Sequence, residues 1–313
     1  MRSRHSRFQV AAWLFFGYLV AVILFGAWVR ISHSGDGCGS NWPTCHGEVV
    51  PTAPSAATLI EFIHRLTSGL CGVFGVALLW WSWQRYRGGP VTRAVAWTLV
   101  FIVFEGAVGA GLVLGGLVAD DDSVARAVVI SLHLSNTLAL TAFAALAAWR
   151  AGPVVGSGFL PRRRAAFGIG LALVVLTAMS GAVTALGDTL FPRDLAIEPG
   201  LFAEIRGEVS GGSHFLIRLR ILHPVLAVFA AGYLLWLLNS EGDENRWARL
   251  AMYLVVAEVA AGFVNIGLSA PGWLQIAHLL LAQTLWMALI LTCASLGPSA
   301  GRLTQPVPSA NGG

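Results

Sequence analysis

The chain has 313 residues, 56% hydrophobic and only 12% charged, with a mean hydropathy of +0.70. That balance excludes an ordinary soluble globular protein. All 20 basic residues are arginines gathered in a few clusters, so the formal charge of +4 does not describe a broad basic face; it argues against a nucleic-acid partner and for a lipid bilayer.

Eight segments are apolar over the roughly 20 residues a helix needs to cross hydrocarbon: 10–31, 57–83, 92–117, 124–149, 164–187, 213–238, 246–270 and 273–296. The first resembles a signal peptide in its preceding arginines, but its apolar run is long and no small-residue cleavage site follows, so it reads as a retained span. Arginine clusters lie at the N-terminus (Arg2, Arg4, Arg7), between spans two and three (Arg85, Arg87, Arg93) and between spans four and five (Arg150, Arg162, Arg163, Arg164). The positive-inside rule puts these loops, and with eight spans both termini, in the cytoplasm of a cell (inner) membrane protein. The loops with Asp120, Asp121 and Asp122, or with Glu198, Glu204 and Glu208, then face outside, and the aspartate triplet reads as a solvated loop.

The first external loop, "GDGCGSNWPTCHG", carries Cys38 and Cys45. Six intervening residues with Gly and Pro let the two meet, and a disulfide persists outside the cytoplasm; free thiols or a transient redox pair are the alternatives. Cys71 and Cys293 lie within spans and read as small apolar side chains.

The chain is internally duplicated. "FEGAVGAGLVLGGL" of span three matches "AEVAAGFVNIGLSA" of span seven, placing Glu105 over Glu258 and Gly109 over Gly262. Span four matches span eight with His133 over His278, span two matches span six with His64 over His223, and "FGAWVRISHSGD" of span one weakly matches "SGAVTALGDTLF" of span five. Two units of four spans each start on the same side, which makes parallel repeats about an axis normal to the membrane. The expected fold class is an all-α integral membrane protein whose eight transmembrane helices form two tandem four-helix bundles related by a pseudo-two-fold axis: 1–151, a linker at 152–163, and 164–313.

His64, His133, His223 and His278 occur one per even-numbered span, each about 5–10 residues past its start, hence roughly 8–15 Å below the outer surface at 1.5 Å per residue. A lone membrane histidine commonly serves an interhelical hydrogen bond; four at one depth, paired in each half, point to axial ligation of haem iron. Zinc or copper would need thiolates or further carboxylates at each pair. The expected sites are His64 with His133 and His223 with His278, toward the outer leaflet. Arg65, Arg218 and Arg220 are at the depth where haem propionates want cations. Glu105 and Glu258, mid-span beside glycines, read as packing or interhelical hydrogen-bonding residues. The halves differ at one point: Glu61 precedes His64 by three residues on the same helix face, whereas Arg220 precedes His223, and Arg65 is replaced by Pro224. An acid beside only one haem marks the first half as the chemical one.

These features, together with "GAWVRISHSGDGC…WPTCHG" and "EFIHR", resemble the haem A synthase family over nearly the whole chain. The resemblance implies oxidation of the C8 methyl group of haem O to a formyl group by successive hydroxylation and loss of water, giving haem A for terminal oxidases. It also implies that His64 and His133 hold the substrate haem, that His223 and His278 hold a resident haem b as cofactor, and that Glu61 is the catalytic acid. Cys38 and Cys45 match a loop pair of that family. An unidentified electron partner is expected, and haem O synthase or oxidase assembly factors are candidate partners. A dihaem electron carrier, or a haem transporter or chaperone, is the competing reading.

Overall fold

The computed structural model describes residues 6–152, 161–192, 213–240 and 245–296. Among them nine helices and no regular strand occur: α1 Arg7–Ile31, α2 Ala56–Tyr86, α3 Pro90–Leu114, α4 Val124–Arg150, α5 Pro161–Leu190, α6 Phe215–Leu219, α7 Leu222–Asn239, α8 Arg246–Gly267 and α9 Gly272–Ser295. With α6 and α7 taken as one span, eight are long and apolar enough to cross a membrane, the eight expected. The chain is a multi-pass membrane protein. The residues 153–160 of the linker, most of the second long loop with Glu198, Glu204 and Glu208, and Arg2 and Arg4 lie outside the described residues.

Local chemistry sets the helix ends. Ser6, Ser55, Ser123 and Asn245 each accept a hydrogen bond from a backbone N–H of the first turn they cap. Pro90, with no N–H to lose, opens α3. The sixth span is broken at Arg220 and Ile221, and Pro224 is the cause: it cannot donate to the Arg220 carbonyl, and its ring crowds that carbonyl. Arg65 at the matching place leaves α2 continuous.

Side chains such as Leu14, Trp80, Trp83, Val103, Phe229 and Trp236 remain largely exposed on the outer faces of the bundle, as lipid contact permits. The centre is formed by α4 and α9, whose contact includes a hydrogen bond donated by Trp286 Nε1 to the Leu138 carbonyl at 2.7 Å. Helix α1 packs on α2, α4 and α9, and α3 on α2 and α4; α5 packs on α4, α6, α7 and α9, and α8 on α7 and α9.

The loop 32–55 packs on the start of α2. There Cys38 and Cys45 are joined in a disulfide. Arg65 reaches up from α2 and donates to the carbonyls of Asn41 at 2.6 Å and Thr44 at 2.8 Å. Gly37 lies so close to the backbone of Ala57 and Thr58 that any Cβ would overlap it. The loop 115–123 is likewise tied down rather than simply solvated. Arg126 donates to the carbonyls of Ala119 and Asp121 at 2.6 and 2.7 Å, Ser123 Oγ donates to Asp121, and Asp122 lies 3.3 Å from His214 Nε2. A helix N-terminus leaves donors to satisfy, which draws these short polar residues into the cap.

Because Gly37 lets the loop sit on α2, Gly37→Ala should lift it. Overpacking of this kind costs about 1–3 kcal/mol; the expected outcome is lower thermal stability in detergent and faster reduction of the Cys38–Cys45 disulfide, read by thiol labelling against time. Unchanged labelling kinetics would show that the loop is not held by this contact.

Candidate functional site

One apolar cavity of about 2040 Å³ runs through the bundle and is lined by His64, His133, His223, His278 and Glu61 together. Three of the histidines lie against a glycine of a neighbouring helix. A Cβ on Gly26 of α1 would stand 3.0 Å from His64 Cε1, one on Gly181 of α5 2.9 Å from His223 Cε1, and one on Gly262 of α8 3.5 Å from His278 Cε1. Gly26 and Gly181 are matched in the repeat, so the same missing side chain makes room for the same ring in each half.

The second ring nitrogen decides which nitrogen is left for a ligand. Nδ1 of His223 lies 3.0 Å from the Thr177 carbonyl, to which its proton can be donated, and 3.2 Å from Ser180 Oγ. His133 Nδ1 lies 3.4 Å from Glu105 Oε1, and His278 Nδ1 lies 3.3 Å from Glu258 Oε1. Glu105 is itself held by Thr137 Oγ1 at 2.5 Å and by Asn136 Nδ2. These contacts favour the tautomer with its proton on Nδ1 and leave Nε2 as the basic nitrogen. Nδ1 of His64, His133 and His278 is in each case buried without a hydrogen bond among the described residues; His64 differs in having no carboxylate at ion-pair distance from it, where His133 and His278 each face a glutamate.

Glu61, 4% exposed, accepts from the Cys38 backbone N–H at 2.7 Å through Oε2 and from Arg65 Nε at 3.0 Å and Nη2 through Oε1. Its counterpart in the second half is charge-inverted. Arg220, also 4% exposed, sets Nε 2.9 Å from Asp188 Oδ1 and donates from Nη2 to the carbonyls of Gly187 at 2.7 Å and Phe191.

Of the cations anticipated from the sequence, Arg65 and Arg220 line the cavity, whereas Arg218 is exposed and does not. The structure adds Arg30, Arg126 and Gln275 to the lining, and it turns Glu105 and Glu258 from general interhelical residues into partners of the histidines. The signal for the last two lay in the repeat, which aligns both glutamates as it aligns both histidines.

Two observations bear on what the cavity fits. The rings of His223 and His278 have their centres 6.4 Å apart; with metal–nitrogen bonds of about 2 Å, two imidazoles on opposite sides of one ion have centres roughly 6 Å apart. Among the described residues no group of three or more His, Cys, Asp or Glu side chains could hold a metal ion by itself. Two-histidine ligation with a macrocycle supplying the remaining ligands fits that donor set.

The chain is 44% identical over 303 residues to a protein of Thermus thermophilus named protoheme IX farnesyltransferase, covering 93% of this chain and 48% of that protein. It is 30% identical over 307 residues to the heme A synthase of Symbiobacterium thermophilum, covering 92% of this chain and 95% of the relative. It is 42% identical over 99 residues to the heme A synthase of Halalkalibacterium halodurans, 31% of this chain and 33% of the relative. The chain thus spans about half the length of the Thermus relatives it matches. Residues 9–290 match the COX15-CtaA family model, described as cytochrome oxidase assembly protein, and the chain belongs to that family.

Proposed function

We propose that the chain is a haem A synthase that oxidises the C8 methyl group of haem O to a formyl group. The observation that carries this reading is the inequality of the two histidine pairs in one cavity: each pair has a glutamate against one imidazole, but one turn before the first histidine the His64 pair has a buried acid, Glu61, where the His223 pair has a buried arginine, Arg220. The whole-length relative named heme A synthase supports it. The longer Thermus relatives are named for farnesyl transfer to protohaem IX. That reaction would supply a farnesylated haem, so a haem O synthase is the natural upstream partner.

The working units are then the halves 1–151 and 164–313, joined by 152–163. His64 and His133 hold the substrate, and His223 and His278 hold a resident haem b, which when bound supplies one-electron transfer. A cavity of about 2040 Å³ exceeds the roughly 300–1,000 Å³ of a site for one small ligand, as two macrocycles require. The arginine clusters favour an orientation with both termini in the cytoplasm, and with it both sites toward the outer leaflet.

Written with water as the oxygen source, conversion of methyl to formyl takes up one water and releases four electrons and four protons (R–CH3 + H2O → R–CHO + 4 e− + 4 H+), the electrons leaving to the electron partner. Glu61 is the group near His64 that can receive the protons. Its Oε2 is fixed by the Cys38 amide and its Oε1 by Arg65, so the acid is held in one position and can pass a proton toward the loop side. The walls around it are mostly apolar. The difference falls on the matched ligands: His64 has no hydrogen bond at Nδ1, as suits a haem that must enter and leave, whereas His223 is held by Thr177 and Ser180, as suits a resident one.

Expression beside a haem O source, followed by pigment extraction and mass analysis, should yield haem A and its hydroxylated precursor. A two-haem spectrum with neither product would leave an electron carrier. Glu61→Gln should retain both haems and lower product formation by about 10²-fold or more, the scale of a lost proton-transfer group; wild-type yield in that variant would remove Glu61 from the mechanism.

The glycine seats allow the sites to be tested one at a time. Gly181→Val should displace His223 and abolish the low-spin spectrum of the resident haem, and Gly26→Val should do the same at the substrate site. Gly168→Val, on α5 with open space around it, should change neither. Loss of both haems from either seat variant would contradict two separately held sites.

A further inference from the structure

We infer that Arg30, a residue of the first half, is the carboxylate anchor of the haem in the second half; this rests on the two-haem reading above. Four arginines line the cavity at the loop end: Arg30, Arg65, Arg126 and Arg220. Arg65 is matched by Glu61 and Arg220 by Asp188. The hydrogen bonds of Arg30 go instead to neutral acceptors, the Ala185 carbonyl at 2.6 Å, Thr189 Oγ1 and Gln275 Oε1 at 2.8 Å; the carboxylate that acts on it electrostatically, Asp188, is the one paired with Arg220, so a single carboxylate serves both guanidiniums. Those of Arg126 go to the carbonyls of Ala119 and Asp121. A guanidinium in a low-dielectric interior calls for a counter-charge, and the two propionates of a haem supply carboxylates of the right geometry for a planar fork.

The position of Arg30 selects the second haem. Gln275 lies three residues before His278, one turn away on the same face of α9. Ala185 lies four residues after Gly181, the glycine against which His223 sits, on the same face of α5. Arg30 therefore crosses from α1 to both helices that frame the second histidine pair, about one helical pitch, or roughly 5 Å, toward the loop end from the rings. In the repeat alignment the position of Arg30 is occupied by Ala185 in the second half, so the first haem receives no equivalent cation in return. Neither Arg65 nor Arg220 needs to leave its partner for this anchor to act.

The test uses the full chain made in haem-deficient cells and purified in detergent, with His64→Ala and His133→Ala so that only the second pair binds. It is titrated with ferric protoporphyrin IX and, separately, with its dimethyl ester, following the low-spin spectrum. The expected result is that the free acid binds about tenfold or more tightly than the ester, the scale of a hydrogen-bonded charge. Adding Arg30→Gln should reduce that preference to near unity while ester affinity stays unchanged, and Arg30→Lys should restore part of it. Equal weakening of both porphyrins by Arg30→Gln, or a preference that survives the substitution, overturns the anchor and leaves Arg30 as a clasp between helices. Binding of neither porphyrin by the parent chain overturns the two-haem reading instead.

Discussion

Every ionisable side chain inside this bundle must find its partner within the protein, because hydrocarbon offers none. The site is organised by that requirement. Glu61 has the Cys38 amide and Arg65, Arg220 has Asp188, and Glu105 and Glu258 each face an imidazole. Apart from Glu61–Arg65, four residues apart on α2, each pairing joins two separate elements. The polar interactions therefore fix how the helices rotate about their axes, which a uniformly apolar surface leaves open.

The two halves use one plan with opposite charge at a single place. Three residues before the first histidine of each pair stands Glu61 or Arg220. The change propagates into the backbone. Arg65, four residues after Glu61, completes an ion pair on a continuous helix; at the matching place Pro224 breaks the span, and Arg220 is bonded to the end of α5 instead. In the first half the outward partner is the disulfide loop. In the second it is the carboxylate and carbonyls of the neighbouring helix. On the proposed function, a pair that contacts the end loop through an acid is suited to exchange protons with that side, whereas one locked by a buried arginine is not.

Much of this is legible in the sequence, and the remainder is hidden for a physical reason. The spans show because length and hydropathy suffice to identify them, and the histidine pairs show because the duplication aligns them. The destination of Arg30 does not show, because α1 is apolar all round and carries no stripe to say which face turns inward. Arg218 was the mirror case: it sits at a suitable depth, but the break at Arg220 and Ile221 leaves it exposed. The roles of Glu105 and Glu258 depend on the relative rotation of two helices, a quantity that no single segment encodes. Their equivalence in the repeat was visible; that they meet the histidines was not.

The loop 32–55 gains its meaning from Glu61. One disulfide closes it, Gly37 lets it lie on the backbone of α2, and two of its carbonyls accept from Arg65 while one of its amides donates to Glu61. The loop thus supplies the acid with a fixed donor and its arginine with fixed acceptors, and both functions require the same loop conformation. Closing the loop lowers the entropy that must be lost to reach that conformation. On this argument the cysteine pair belongs to the placement of Glu61 as much as His64 does, although neither sulfur needs to touch the substrate.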